Sequence, residues 1–324
     1  MLHRRRLVQG AGALALFAAT APAFGQSKGR PIRLVVPYGP GGSTDTAARL
    51  LASRMTEELD QSIIVENKPG GGTMVGMQNV AHSKPDGLSL LITTTTAALL
   101  PAFDVPLPIN PQKDLVAVSQ LADIPCLFAV NAKHPAKTWA EFAAWLKQQP
   151  NEVHYSTSSS GGLPHLWGEL ISAKHGGKLH HLPYKAAAEA LRDAVAGHVP
   201  AFVDTTTPVD QQIKSGTMRG LMLGAPKRVD AVPDVPTVHE LGMPELEAAV
   251  YFGVTAPAGT SPELIQRYNA AINASLKHEA VREKLQSLGF IPTGGTPEAY
   301  AARLASETAR WRQVIKDAKI PAPL

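Results

Sequence analysis

Glycines and hydroxyl side chains, more than charged ones, carry the chemistry available to this sequence, and they come in short runs. Five runs stand out: Gly39–Asp45 (G-P-G-G-S-T-D), Lys68–Thr73 (K-P-G-G-G-T), Thr93–Thr96, Thr157–Gly162 (T-S-S-S-G-G) and Asp204–Thr207 (D-T-T-T). Glycine lets a backbone approach a ligand closely and form concave nests of N–H groups. Where such a run opens a helix, the first N–H groups have no intrahelical partner, and the positive end of the helix dipole favours an anion. The chemistry indicated is hydrogen-bonded capture of a carboxylate or another oxyanion. A single run of this kind is equally explained as a tight turn or a helix cap. Five of them call for a common cause.

That cause lies in the elements that must position them. Ile32–Val36 is an apolar, β-branched run and reads as a buried strand. Ser43, Thr44 and Asp45 introduce a helix with the ladder Ala47, Leu51, Met55, Leu59. Strands follow at Ser62–Glu66 and Leu88–Ile92. The pattern recurs with a helix over Trp139–Leu146, a strand at Val153–Ser156 and a helix from Leu163 to about Lys174. Val250–Thr255 reads as a further strand, and helices from Pro262 and Pro297 close the chain. Such alternation predicts an α/β fold with a largely parallel sheet, and in such sheets ligands sit beyond the carboxyl ends of the strands. All five runs fall at such ends.

Enzyme motifs do not fit. The Gly39–Thr44 segment has no Gly-Lys-Ser/Thr and lacks the last glycine of a dinucleotide fingerprint. Ser158, Ser159 and Ser160, before Gly161, lack the flanking glycine of a nucleophile elbow. His165 and His175 are wrongly spaced for a zinc helix, and His180 and His181 point opposite ways on a strand. His165 lies in a first helical turn off the apolar stripe, which makes it a candidate to reach a pocket. No catalytic residue, metal site or cofactor is expected. The single cysteine, Cys126, lies in an apolar stretch and reads as a buried, inert thiol.

The 324 residues suggest about two domains. Arg4, Arg5 and Arg6 precede a small, apolar stretch to Gly25, too short for a membrane span and suited to a signal peptide over residues 1–25, twin-arginine-like. That leader holds three arginines and no acids, so the formal charge of +4 falls to +1 once it is set aside. The basic balance therefore gives no reason to expect nucleic acid. The expectation is a soluble, exported, periplasmic monomer.

The motifs together resemble those of the Bug-type receptors of tripartite tricarboxylate transporters. The resemblance rests on V-V-P-Y-G-P-G-G-S-T-D-T-A-A-R (Val35–Arg49), V-E-N-K-P-G-G-G-T-M-V-G (Val65–Gly76) and Y-S-T-S-S-S-G-G-L-P-H-L (Tyr155–Leu166). It extends through P-Y-K-A-A-A-E-A-L-R-D-A-V-A-G-H-V (Pro183–Val199), D-V-P-T-V-H-E-L-G (Asp234–Gly242) and A-P-A-G-T (Ala256–Thr260). It implies a two-lobed Venus-flytrap fold of the type II periplasmic binding proteins, each lobe a mostly parallel sheet flanked by helices. Crossings are expected near Ile124–Val130 and Leu221–Ala225, giving lobe one as 28–125 plus 225–324 and lobe two as 126–224.

The resemblance further implies capture of a small organic acid, closure of the lobes over it and delivery to inner-membrane permease subunits, with no chemistry on the ligand. A receptor that presents its ligand to a signalling partner is the alternative, with an enzyme of carboxylated substrates behind it. Carried to matching positions, the family's binding segments nominate Gly41, Gly42, Ser43, Thr44, Asp45, Gly72 and Thr73 in lobe one. Ser158, Ser159, Gly161, His165 and Asp204 are nominated in lobe two. Tyr38, Thr94 and Thr205 join them from the same loops, Tyr38 standing where a phenylalanine is usual, and Ala186 and Ala187 stand where glycines are common. Asp45 is expected to orient its loop or to meet a ligand donor group, and Asp45→Ala to change ligand preference more than stability.

Overall fold

The chain folds as strands that each hand on to a helix, as hydrophobic runs bounded by glycine and proline require. The computed structural model describes residues 29–322, apart from Ser159 and Lys185, so the leader expected at 1–25 lies outside the described residues. β1 (Ile32–Val36), α1 (Ser43–Leu59), β2 (Ile63–Asn67), α2 (Met74–Ala81), β3 (Ser89–Thr94), α3 (Thr96–Ala102) and the short α4 (Pro111–Asp114) lead into β4 (Leu115–Asn131). Then come α5 (Trp139–Gln148), β5 (Val153–Thr157), α6 (Leu163–Lys174), β6 (Leu179–Pro183), α7 (Ala187–Ala196), β7 (Ala201–Thr205), α8 (Asp210–Lys214) and β8 (Met218–Leu223). β9 (Ala249–Pro257), α9 (Pro262–Lys277), α10 (Glu279–Ser287), β10 (Ile291–Pro292) and α11 (Pro297–Ala318) complete it. Thr93 and Thr94, expected in a loop, are the last residues of β3.

The strands run in the order β2-β1-β3-β9-β4-β7-β5-β6, with β10 and β8 also paired to β4. β1 pairs in parallel with β2 and β3, and β5 in parallel with β6 and β7, so each half has a parallel set with helical crossovers. β4 and β9 run antiparallel to their neighbours and join the halves. β4 serves both sheets. Its residues up to Pro125 pair with β9, and from Cys126 onward it pairs with β7. Proline has no N–H to give to a ladder and is tolerated at such a break. Cys126 is fully buried, and burial pushes its thiol well up.

Four apolar clusters cover the faces of the two sheets. On the first sheet, Leu51 and Met55 of α1 pack with Ile272 of α9 and Leu34 of β1. On the opposite face, Met77 of α2 packs with Leu91 and with Tyr300 of α11. On the second sheet, Phe128, Trp139, Trp167 and Ile171 form one core, while Leu127, Ala190, Phe202 and Val235 form the other. α11 belongs to both halves: Tyr300 and Leu304 sit in a first-sheet core, and Trp311 and Ile315 in a second-sheet core.

The return crossing was expected near Leu221–Ala225. In the structure Leu223 still pairs within the second sheet, and Val232, Val235, Val238 and Leu246 pack into its cores. The Trp167 indole donates to Leu246 O at 2.7 Å. The chain re-enters the first sheet only at Ala249, opposite Pro125.

At this second crossing the backbones are in close contact. Gly224 N donates to Cys126 O at 2.8 Å and Ala248 N donates to Gly224 O at 2.9 Å. A Cβ on Gly224 would stand 2.6 Å from Ala248 O, so only glycine fits. Gly224→Ala is expected to destabilise the protein by about 1–3 kcal/mol in urea unfolding; an unchanged midpoint would show that the crossing strands are free to part.

Candidate functional site

Between the two sheets lies a cavity of about 610 Å³, within the size range of small-molecule sites. One wall comes from the loops that follow β1, β2 and β3, contributing Tyr38, Thr44, Gly72, Thr73, Thr94, Thr95 and Thr96. The other comes from the loops after β5 and β7, with Ser158, Ser160, Gly161, Gly162, Asp204, Thr205 and Thr207, together with Ala187. Leu99, Leu100, Ile124, Leu163, Val250 and Phe252 supply apolar surface. Among the described residues, no lysine or arginine lines it.

Helix starts face this cavity without side-chain caps. The N-cap positions of α1, α2, α6 and α7 are Gly42, Thr73, Gly162 and Ala186, and none makes a capping hydrogen bond. Away from the cavity, α4, α5, α9 and α11 are capped by the side chains of Asn110, Thr138, Ser261 and Thr296. α10 is the remote exception, and it follows α9 after one residue. Thr73 is held at φ +83°, a left-handed conformation that is strained for a β-branched residue. Thr73 lines the cavity, and its hydroxyl is buried without a hydrogen-bond partner. The arrangement can accept an anion through backbone N–H groups and hydroxyls.

Each wall is braced by a buried aspartate, Asp45 from behind the first and Asp204 within the lining of the second. Asp45, 3% exposed, accepts from Gly41 N at 2.9 Å, Arg49 Nε at 3.0 Å and Asn67 Nδ2 at 2.9 Å. Asn67 Nδ2 also donates to Tyr38 O, tying the first loop to the end of β2. The Arg49 guanidinium above all, with Gly41 N–H and Asn67 against the opposing effect of burial, holds the Asp45 carboxyl at about 2. Asp204 accepts from Ser158 N at 3.0 Å and Thr205 N at 2.7 Å. Burial pushes its carboxyl up, and these donors pull it back. Among the described residues it forms no ion pair, unlike Asp45.

The nominated residues divide accordingly. Tyr38, Thr44, Gly72, Thr73, Thr94, Ser158, Gly161, Asp204 and Thr205 line the cavity. Tyr38 OH and Thr94 Oγ1 are 2.9 Å apart, fixing the ring at the wall. Gly41, Gly42 and Asp45 do not line it; they shape the loop behind Thr44. Ser159 and the side chain of Ser43 lie outside what is described. His165 also turns away: its Nδ1 accepts from Gly161 N at 2.9 Å and its ring stacks on His181. The apolar surface was missed, although Val250–Thr255 and Ile124–Val130 were legible as strand and crossing. A strand that crosses at a cleft has to expose one side there.

The family model described as the tripartite tricarboxylate transporter family receptor matches residues 47–320. The chain belongs to this receptor family. Among its relatives is protein BugT of Bordetella pertussis, 34% identical over 89% of each chain. Rpa4515 of Rhodopseudomonas palustris, solved with adipate, is 32% identical with a TM-score of 0.78, over 92% of this chain and 100% of that one. MatC of Rhodopseudomonas palustris, solved with bound malate, is 29% identical with a TM-score of 0.73, over 88% and 99%. The receptor's fold is accordingly that of the periplasmic binding proteins: α/β, a curled sheet with parallel sets flanked by helices.

Asp45 orients its loop, one of the two roles expected for it, and its three donors shift the expected effect of its removal from ligand preference to stability. Asp45→Ala would strand three donors, one of them charged, and is expected to cost the receptor about 1–3 kcal/mol in denaturant unfolding. The native carboxyl titrates below its ordinary 3.8, so its contribution is full above about 4 and is lost as pH falls towards 2. Acid unfolding of Asp45→Asn should therefore be shallower over that window; an identical acid limb would count against the brace.

Proposed function

We propose that the protein is a periplasmic receptor that holds a small organic carboxylate between two lobes and delivers it to the permease of a tripartite tricarboxylate transporter. The observation that carries this reading is the set of uncapped helix starts around a cavity whose described lining has no cationic side chain. An anion there takes up N–H groups of the kind that α4, α5, α9 and α11 give to side-chain caps. Malate in MatC and adipate in Rpa4515 are ligands of the same chemical class. The apolar stretch of Leu99, Leu100, Ile124 and Phe252 suits a carbon body better than a densely hydroxylated one. On this reading lobe one comprises 29–125 and 249 onward, lobe two comprises 126–248, α11 is shared, and closure is driven by the higher affinity of the closed form.

A thermal-shift series with adipate, benzoate, malate, citrate and the neutral adipamide tests it. At least one carboxylate should raise the melting temperature in a concentration-dependent way, adipate or benzoate more than citrate, with no response to adipamide. A flat response to all the acids would overturn the proposal. A second test uses Gly42, whose backbone is extended and whose Cβ would meet nothing within 4 Å. Gly42→Asp supplies α1 with a cap and is expected to stabilise the empty protein by roughly 0.5 kcal/mol, while weakening carboxylate binding tenfold or more. Unaltered affinity would show that the α1 start is not the anion seat.

A further inference from the structure

Ser158, Ser160, Gly161 and Gly162 form much of the second wall, and both ends of this loop are tied to histidines. Thr157, where β5 gives way to the loop, has its Oγ1 2.7 Å from His181 Nε2. At the far end Gly161, in the left-handed region at φ +71°, donates its N–H to His165 Nδ1 at 2.9 Å. The two rings lie face to face, 3.6 Å between centroids and 15° between planes. His165 comes from the first turn of α6 and His181 from β6, so the stack bridges two elements as well as two loop ends. We propose that His165 and His181 are positioning residues: a stacked clasp that sets the shape of this wall at neutral pH and releases it in acid. That the released wall would also release a ligand rests on the receptor reading above.

The clasp works only while both rings are neutral. Nδ1 of His165 must keep its lone pair to accept from Gly161, and two imidazolium ions would repel at this separation. Burial holds His165 down to about 4, and burial with the adjacent His165 and His180 holds His181 down to about 3. The groups around the pair do little to welcome a proton. Glu169 of α6 stands 3.7 Å from His165 Nε2, too far for a hydrogen bond, and accepts from the Tyr155 hydroxyl of β5 at 2.8 Å. Burial pushes the Glu169 carboxyl up. His180 of β6 and His154 of β5 meet on the outer side. With the clasp open, both rings regain the ordinary value near 6.5. Each pH unit below that favours the open form up to tenfold per ring, until the clasped rings themselves protonate.

Hydrogen exchange of the amides of 157–166 in the ligand-free protein, corrected for intrinsic rates, tests this at pH 7 and pH 5. Wild type should lose protection tenfold or more at pH 5, while α9, remote from the loop, keeps its own. The double variant His165→Asn with His181→Phe retains an acceptor for Gly161 but has no group in the clasp that can titrate, and its protection should be the same at both values. His165→Ala should lose protection at both. Equal wild-type protection at pH 7 and 5, an equal loss in the double variant, or a loss shared by α9 would each overturn the clasp.

Discussion

A helix cannot begin without leaving N–H groups unpaired, and where those groups are left open governs this molecule. Around the cavity, α1, α2, α6 and α7 start on glycine, alanine or an unbonded threonine, whereas side-chain oxygens close α4, α5, α9 and α11. A missing cap forgoes about 1 kcal/mol of helix stability. The sheet order, the crossing strands and the braced loops then all serve to bring those open starts to one place from two sides.

The two walls are braced alike in geometry but not in charge. Asp45 has the Arg49 guanidinium against it, so the first wall carries little net charge behind its N–H groups. Asp204 has only hydrogen-bond donors. The histidine stack adds a third way of holding a loop, through aromatic contact instead of a carboxylate.

Much of this was legible in the residues because local signals agree. β-branched runs marked β1 and β2, and prolines marked the starts of α9 and α11. The loops at the carboxyl ends followed from the alternation itself. What the sequence hid was direction. His165 and Asp45 sit in motif positions, and periodicity places them near the pocket, but hydrogen bonds to Gly161 and Gly41 turn both side chains inward. Arg49 and Asn67 carry no signal as braces until the fold puts them beside Asp45. The segment 225–248 has little regular structure, so nothing in its periodicity tells which core it joins.

α11 ties the two sheets together mechanically. It is roughly 33 Å long and is rooted at one end by Tyr300 and Leu304 and at the other by Trp311 and Ile315, in cores that belong to different sheets. Such a helix acts as a splint across the molecule. On the two-lobed reading proposed above, lobes joined only by a pair of strands would swing widely, and seating both ends of the splint would confine their rotation to an axis close to the helix. On that reading its stiffness would set how far the cleft could gape, so a chain that places its proposed ligand site in short loops would place the limit of its motion in its longest helix.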